Sequence, residues 1–256
     1  MTIPRIYSPI CLTNCPICEL GRDNWRYLKQ VLRLQPGDRI NIFDGFGNEH
    51  EAVIKEFSKQ SVSLEIKGRI ENIDSGIRIT LAQALPKAGK MDMIVREAAE
   101  LCVSRVIPFA AMRSVSKIHK EKAPLKVSRW QKITQEAARC CRSARITEVA
   151  AIASYDAMLA QAQAAGLKLI FWEEESQTTI KDVLTDKSRP GIEDFFIIVG
   201  PEGGLTRDEI AEASAAGFIS VSLGRHILKV ETAAAAIISI IQYEKGIFSN
   251  AATEVV

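Results

Sequence analysis

The sequence predicts an α/β protein in which a small β-domain precedes a larger domain built on a parallel sheet. Residues 31–70 contain short strand-like runs separated by turns, and from Ile77 onward apolar strand-like runs alternate with segments of helical periodicity. The pattern changes near Asp74-Ser75-Gly76. We therefore expect two domains, 1–75 and 76–256, and a chain of 256 residues is long enough to form both.

The first domain is predicted from three runs with the character of β-strands. Residues 39–43 alternate polar and apolar side chains, Asp44-Gly45 supplies a turn, and two further runs follow at 51–57 and 61–70. Together these runs predict a small β-barrel.

The second domain is predicted from strands and helices that alternate along the chain. We expect strands at 77–85, 103–109, 168–172, 195–199 and 218–223, and helices at 91–101, 128–141, 155–165, 207–216 and 232–244. Ser128 and Gln131 have the spacing of a capping box, and Thr206 and Gly217 mark the two ends of the fourth helix. The last helix is almost wholly apolar, so it should be buried in the domain or in a subunit contact.

The composition predicts a cytoplasmic protein without a membrane span. No stretch reaches eighteen consecutive apolar residues, and the sequence Met1-Thr2-Ile3-Pro4-Arg5 lacks the apolar core of a secretory signal. Six cysteines in such a chain are expected to be reduced thiols rather than disulfides.

The spacing of Cys11, Cys15 and Cys18 matches the cysteine triad that holds an iron–sulfur cluster in radical enzymes. Those enzymes place an aromatic residue where this chain has Ile17, and a structural zinc would need a fourth ligand, which is not nearby. We therefore interpret the three cysteines as unliganded thiols and predict no metal site, with metal binding as the alternative.

Positive charge is concentrated in residues 113–145, here called the basic segment. It carries ten lysines and arginines against two acidic residues, whereas the rest of the chain has 23 basic and 29 acidic residues. Such asymmetry indicates a polyanionic partner, and from charge alone a solvated helix face is an equally good explanation.

Two glycine-bearing loops follow strands of the predicted parallel sheet. Gly200-Pro201-Glu202-Gly203-Gly204 comes between a buried strand and a capped helix, and residues 223–229 lead into the apolar last helix. Ligands bind outside the carboxyl ends of strands in such sheets, and glycines allow a close approach of the backbone. The pair of loops therefore predicts one ligand cleft, although tight turns would explain each loop singly.

Several common ligand and reaction classes are disfavoured by the absence of their motifs. The sequence has no G-x-x-x-x-G-K-[ST] loop, no G-x-G-x-x-G after the first strand of the α/β region and no G-x-S-x-G elbow. His50, His119 and His226 are scattered without metal-ligand spacing. ATP, NAD and hydrolase chemistry are therefore poor candidates.

Motifs spread over nearly the whole chain carry a family resemblance. They are Val31-Leu32-Arg33-Leu34, Pro36-Gly37-Asp38, Phe43-Asp44-Gly45, Lys87, residues 97–101, Pro108, Arg113-Ser114, Arg129-Trp130, Ile133, Glu136-Ala137-Ala138, residues 200–204, Leu223-Gly224, Ile227-Leu228 and Glu231-Thr232-Ala233. In this order and spacing the motifs resemble the RsmE family, bacterial methyltransferases of the SPOUT class that methylate N3 of a uridine in small-subunit (16S) ribosomal RNA.

The resemblance implies a PUA-like β-barrel followed by a parallel-sheet SPOUT domain with a trefoil knot. It also implies a homodimer, no membrane association, S-adenosylmethionine as cofactor, and ribosomal RNA or the small ribosomal subunit as partner. The cofactor-binding residues that it implies are Trp172, Val199, Gly200, Pro201, Glu202, Gly203, Gly204, Leu223, Gly224, Ile227, Leu228 and Thr232.

Three side chains are candidates for the chemistry that the resemblance implies. Lys229 and Arg113 would stabilise negative charge on the uracil oxygens, and Glu202 would accept a proton or orient a loop. Candidates for RNA binding are Arg5, Arg33, Arg113, Lys117, Lys120 and Arg142.

The chain also departs from the family pattern. His226, Lys229 and Val230 replace the usual residues of their motif, and Cys102 stands where the family has glycine. Two alternatives therefore stay open: a SPOUT methyltransferase that acts on another RNA position, and a non-catalytic RNA-binding protein that has lost turnover.

Overall fold

The computed structural model describes residues 3–10, 12, 15–72, 76–87, 89–114 and 120–248. It divides into two compact units, Met1–Asp74 with Gln135–Ile146, and Ser75–Thr134 with Thr147–Val256. The sequence placed residues 135–146 in the second domain, whereas Ala138 and Ala144 pack on the buried ring of Phe43 in the first unit. Sequence periodicity could not show this contact because it joins segments about a hundred residues apart.

The first unit contains a curled five-stranded sheet with the order β1-β3-β4-β5-β2. Its strands are β1 Arg5–Tyr7, β2 Ile17–Leu20, β3 Arg39–Phe43, β4 Glu49–Phe57 and β5 Val62–Ile70. β1 runs parallel to β3, and the other pairs are antiparallel. The predicted small β-barrel is thus present as a half-barrel whose edges are β1 and β2.

The first unit also contains a short helix that the sequence did not predict. Helix α1, Arg22–Arg26, continues directly into a π-helical turn, Tyr27–Val31. Leu28 is fully buried against the sheet residues Ile40, Ile42 and Leu64. Five-residue helical segments lack the two turns that a periodic apolar pattern needs in order to be recognised.

The second unit contains a parallel sheet, and the order of its strands within the described part is β12-β10-β11-β6-β7-β8, with β9 also paired to β7. The strands are β6 Arg78–Ala84, β7 Arg105–Ala110, β8 Glu148–Val149, β9 Ala153–Ser154, β10 Leu167–Phe171, β11 Asp194–Val199 and β12 Ile219–Val221. All of these pairings are parallel, which confirms the predicted fold class.

Helices pack around this sheet. They are α2 Lys90–Glu100, α3 Ala123–Cys141, α4 Tyr155–Ala160, α5 Ile180–Leu184, α6 Arg207–Ala215 and α7 Val230–Glu244. Thr206 caps α6 in a capping box with Glu209, so the predicted start of that helix is confirmed. The predicted capping box at Ser128 is wrong.

Helix α3 begins at Ala123 and not near Ser128. Pro124 lies in its first turn, where a missing N–H costs little. The side chain of Gln131 donates to the Thr134 hydroxyl and to the Thr147 carbonyl, and it accepts the N–H of Val149. Gln131 therefore ties α3 to the segment that leads into β8, instead of capping the helix.

Helix α7 buries one face in the core of its unit, through Val230, Ala234, Ile237, Ile238 and Ile241. Its Tyr243 side chain is 71% exposed, so the expectation of burial holds for one face of the helix. Within the described ranges, no helix combines the length and the apolar character that are needed to cross a bilayer.

Candidate functional site

Three neighbouring parallel strands end at the same edge of the second sheet. Phe171 at the end of β10 is in register with Val199 at the end of β11 and with Val221 at the end of β12. The loops that begin at Trp172, Gly200 and Ser222 therefore start side by side. This edge is where ligands bind in an open parallel sheet, and it joins the two glycine loops as the sequence predicted.

The Gly200–Gly204 loop is anchored by the buried side chain of Gln83. The Gln83 amide nitrogen lies 3.4 Å from the carbonyl oxygens of both Val199 and Gly200, and the Gly204 N–H donates to the Pro201 carbonyl at 2.9 Å. These bonds fix the first part of the loop to strands β6 and β11.

Gly204 is favoured by its backbone conformation, and the side chain of Glu173 from a second loop lies against it. Its φ angle is +71°, and a Cβ atom there would lie 1.8 Å from Oε1 of Glu173, which follows Trp172. A side chain at this position would therefore displace Glu173 and strain the backbone. The loop after β10 and the Gly200–Gly204 loop thus touch at Gly204.

Glu202 is engaged by the start of α2. The Lys87 N–H donates to both carboxylate oxygens, at 3.1 and 3.2 Å, and the Lys90 ammonium lies 3.2 Å from Oε1. Burial acts to raise the pKa of Glu202, but backbone hydrogen bonds and the Lys90 charge outweigh burial, so the pKa is lowered. A carboxylate held in this way is a poor proton acceptor and a good anchor for its loop.

Arg113 lies directly against the Gly200–Gly204 loop. Its Nη1 donates to the Gly203 carbonyl at 3.1 Å, and a Cβ atom on Gly203 would lie 3.2 Å from the Arg113 Cβ. The residue is otherwise exposed, so it remains accessible to a ligand. The structure thus brings Arg113 and Glu202 to the same loop.

Lys229 is exposed and occupies the N-cap position of α7. In the part of the chain that the structure describes, no hydrogen bond or ion pair connects it to Arg113 or Glu202. The loop before it turns at Gly224, where φ is +103° and the position of an added Cβ is open. Ile227 is 88% exposed and Thr232 is also exposed, so this loop presents its side chains to solvent within one chain.

The edge offers polar groups that suit a flat heterocyclic ligand. The indole N–H of Trp172 is buried, and it has no hydrogen-bond partner among the described residues. The Gly200–Gly204 loop begins at the same edge, and the side chains of Gln83 and Arg113 donate to its Gly200 and Gly203 carbonyls. The site therefore has a buried donor that lacks a partner among the described residues.

Lys90 is a site residue that the sequence analysis missed. Its ammonium lies 3.2 Å from Glu202 and 3.1 Å from Oε2 of Glu231 in the first turn of α7. A lysine that opens a helix is common, and no local pattern marks its two partners because they are more than a hundred residues away.

Arg5 is placed inside the first unit, which corrects its predicted role in RNA binding. Its guanidinium donates to both oxygens of Glu49 and to the carbonyls of Ala138 and Ser143, and it stacks on the Phe43 ring at 3.8 Å. The side chain is only 9% exposed. A guanidinium with these partners is not available to a phosphate.

Of the other predicted RNA-binding residues, some are exposed and some lie outside the described part of the chain. Arg33 and Arg142 are exposed, and each adopts a left-handed backbone conformation after a helical segment. Lys117 and the side chain of Lys120 lie outside the described part of the chain. Arg33, Arg113 and Arg142 therefore remain candidates on the basis of exposure.

Two of the three N-terminal cysteines, Cys15 and Cys18, lie in the described part of the chain. The Cys15 thiol donates to the Ile17 carbonyl at 2.9 Å, and the buried Cys18 sulfur lies 3.8 Å from the Ser8 hydroxyl. Cys11 lies outside the described residues. Among the residues that can be described, no group of three or more potential metal ligands is present.

Comparisons with known proteins agree with this architecture. The family model described as RNA methyltransferase domain matches residues 74–242, and the model described as RNA methyltransferase PUA domain matches residues 20–67. Ribosomal RNA small subunit methyltransferase E of Bacillus subtilis is 30% identical over 236 residues, which cover 91% of this chain and 92% of the relative. The protein of that name from Rickettsia conorii is 30% identical over 240 residues, with 91% and 93% covered.

A solved structure has the same fold over nearly the full length. The crystal structure of a ribosomal RNA small subunit methyltransferase E from Neisseria gonorrhoeae, bound to S-adenosyl methionine, has a TM-score of 0.84. Its identity to this chain is 29%, and the match covers 94% of this chain and 98% of the other.

Proposed function

This chain belongs to the RNA methyltransferase family that includes the bacterial small-subunit enzymes of the E type, and we propose that it methylates N3 of a uridine in 16S ribosomal RNA with S-adenosylmethionine as the donor. The observation that carries this proposal is the meeting of three loops at one sheet edge, after β10, β11 and β12.

The three loops hold the cofactor in this proposal, and the bound cofactor supplies a methyl group activated by its sulfonium charge. Trp172 offers its buried N–H, and the Gly200–Gly204 loop offers its backbone at the neighbouring strand end. Leu223, Gly224, Ile227, Leu228 and Thr232 would cover the other side. The trefoil knot and the homodimer that the resemblance implies remain part of the proposal.

Cationic side chains favour the reactive form of the acceptor base. The N3–H of uridine is a weak acid, with a pKa of about 10, comparable to a tyrosine hydroxyl. Arg113 and Lys229 would favour loss of the N3 proton, because their positive charges would stabilise negative charge on the uracil oxygens. Glu202 would orient the loop through Lys87 and Lys90, because its lowered pKa does not suit a base. Alignment of the methyl group with N3 supplies much of the acceleration.

RNA binding is assigned to the PUA-like unit and to the basic segment. Arg33 and Arg142 are exposed on the first unit, as contacts to phosphate require. The predicted division into 1–75 and 76–256 is retained for these two functions, with residues 135–146 now added to the first unit.

The test is a methylation assay on small subunits from a deletion strain, followed by mass spectrometry of the nucleosides. We expect one 3-methyluridine per subunit, placed by fragment mapping. A methyl group on another base or position would support the alternative SPOUT activity. RNA binding without cofactor binding would identify a non-catalytic binding protein, and both results would overturn the proposal. Naked 16S RNA, assayed in parallel, identifies the form of the substrate.

A further inference from the structure

A lysine at the start of α2 joins two of the three loops at the sheet edge. The Lys90 ammonium lies 3.2 Å from the carboxylate of Glu202 and 3.1 Å from that of Glu231. Both carboxylates are largely buried, with exposed fractions of 19% and 14%, whereas the Lys90 side chain is 32% exposed. The lysine therefore faces two acids that water reaches poorly.

The two acids lie in different segments of the chain. One ligand can contact both segments only if the distance between the segments is fixed. Glu202 is the central residue of the Gly200–Gly204 loop, and Glu231 lies two residues after Lys229 in the first turn of α7. The Lys87 N–H holds Glu202 from the same side as Lys90. The start of α2 is thus a common anchor for the glycine loop and for the end of the second loop.

The electrostatics of this cluster depend on the lysine. The carboxylate of Glu231, and to a smaller extent that of Glu202, raises the pKa of Lys90. The backbone N–H of Glu231 and the Lys90 ammonium lower the pKa of Glu231. On the buried side of α2, burial and the neighbouring acids Glu100 and Glu231 raise the pKa of Glu97. Without the ammonium, the acids of this cluster would repel one another.

Among the described residues, two other cations act on these acids. Lys229 lies close enough to lower the pKa of Glu231, and Arg96 acts in the same direction on Glu97. Neither of them forms an ion pair with Glu202 within the described ranges. Lys90 is thus the cation that bridges the loop and α7 there.

We infer that Lys90 is a positioning residue for the cofactor site, because it sets the separation of the Gly200–Gly204 loop from the first turn of α7. The inference rests on the proposed function, in which both segments contact S-adenosylmethionine. It predicts that the lysine acts on cofactor affinity through the two carboxylates and without touching the reacting atoms.

The test is calorimetric titration of S-adenosylmethionine into the full chain at pH 8. Lys90→Met should weaken affinity by roughly 3- to 30-fold, the range for a residue that modulates a site through its neighbours. Lys90→Arg, which keeps the charge, should fall between wild type and Lys90→Met. Lys187→Met, which removes an exposed lysine far from α2 in the sequence, is the matched control and should bind like wild type.

Acidification separates this role from a general loss of structure. Protonation of one carboxylate removes the repulsion that Lys90→Met leaves behind, so the ratio of variant to wild-type dissociation constants should fall as the pH is lowered from 8 to about 5.5. Lys90→Met combined with Glu231→Gln should likewise recover part of the affinity. A ratio that is constant with pH, with no recovery in the double variant, would contradict the inference.

Two further results decide the remaining cases. Wild-type affinity in Lys90→Met would overturn the inference and leave the proposed function standing, whereas a wild-type protein that binds no S-adenosylmethionine would overturn both. If Lys90→Met does not fold, Glu231→Gln carries the test, because it removes one partner without leaving an unpaired acid. Weaker binding in that variant is expected, and unchanged binding would refute the inference.

Discussion

The most informative single substitution in the first unit is Arg5→Leu. Arg5 and Glu49 are 9% and 6% exposed, and the guanidinium serves both carboxylate oxygens and two backbone carbonyls. Removal of the arginine leaves a buried carboxylate without its cation, and such a change costs about 3–5 kcal/mol. Because whole domains are stable by only about 5–15 kcal/mol, the first unit should be strongly destabilised.

The assay is native-state hydrogen exchange of the amides in β3 and β4, which reports the free energy of opening for this unit separately from the other. Arg39→Leu, at an exposed position in the same sheet, is the control and should stay within about 0.5 kcal/mol of wild type. Arg5→Leu combined with Glu49→Leu should recover part of the stability, because neither charge is then left unpaired while the carbonyls of Ala138 and Ser143 still lose their donor.

RNA affinity distinguishes a structural role of Arg5 from a role in RNA binding. With Arg5 inside the unit, the Arg5→Leu protein should bind RNA as wild type does under conditions where it is folded. A variant of wild-type stability that binds RNA weakly would refute the reasoning, because the guanidinium would then face the nucleic acid.

Three other sites in the chain give further predictions. Cys102 has a φ angle of +55°. Cys102→Gly should raise the free energy of unfolding by about 0.5–1 kcal/mol in a denaturant titration, because relief of about 1–2 kcal/mol of left-handed strain exceeds the entropy cost of glycine. A decrease in stability would contradict this. Gly224→Val should leave a folded protein that no longer binds S-adenosylmethionine in calorimetry. The φ angle there is +103°, which valine does not readily adopt, so the loop must move. Wild-type affinity would show that this loop is not part of the site. Alanine at Lys117, Lys120 and Arg142 together should weaken RNA binding and reduce the slope of log affinity against log salt by about 0.7–0.9 for each phosphate-binding cation removed. An unchanged slope would mean that the basic segment is only a solvated face.

Local signals predicted those parts of the fold that depend on neighbours in sequence. The alternation in residues 39–43 predicted β3 to the residue, and the Thr206 capping box predicted the start of α6. The sequence also predicted that both glycine loops follow strands of one parallel sheet, and β11 and β12 do end at the same edge.

Features that depend on distant contacts were not predictable from periodicity. The role of Arg5 depends on carbonyls at Ala138 and Ser143, and that of Lys90 on acids beyond residue 200. Ser128 failed as a cap because an earlier start of α3, with Pro124 in its first turn, was available. In each case the outcome depends on a partner or a helix start that lies elsewhere in the sequence.

The composition of the first unit also has a consequence for synthesis of the chain. Residues 135–146 complete this unit, so two of the partners of Arg5 and part of the cover of Phe43 are made long after the sheet itself. At about 5–20 residues per second, the growing chain spends roughly 4–14 s between residues 74 and 146. During that interval the nascent sheet has a guanidinium without two of its acceptors and an apolar ring open to water. The first unit is thus completed only after α3 has been synthesised, and the second unit is completed later still, because it needs α7 at Val230–Glu244.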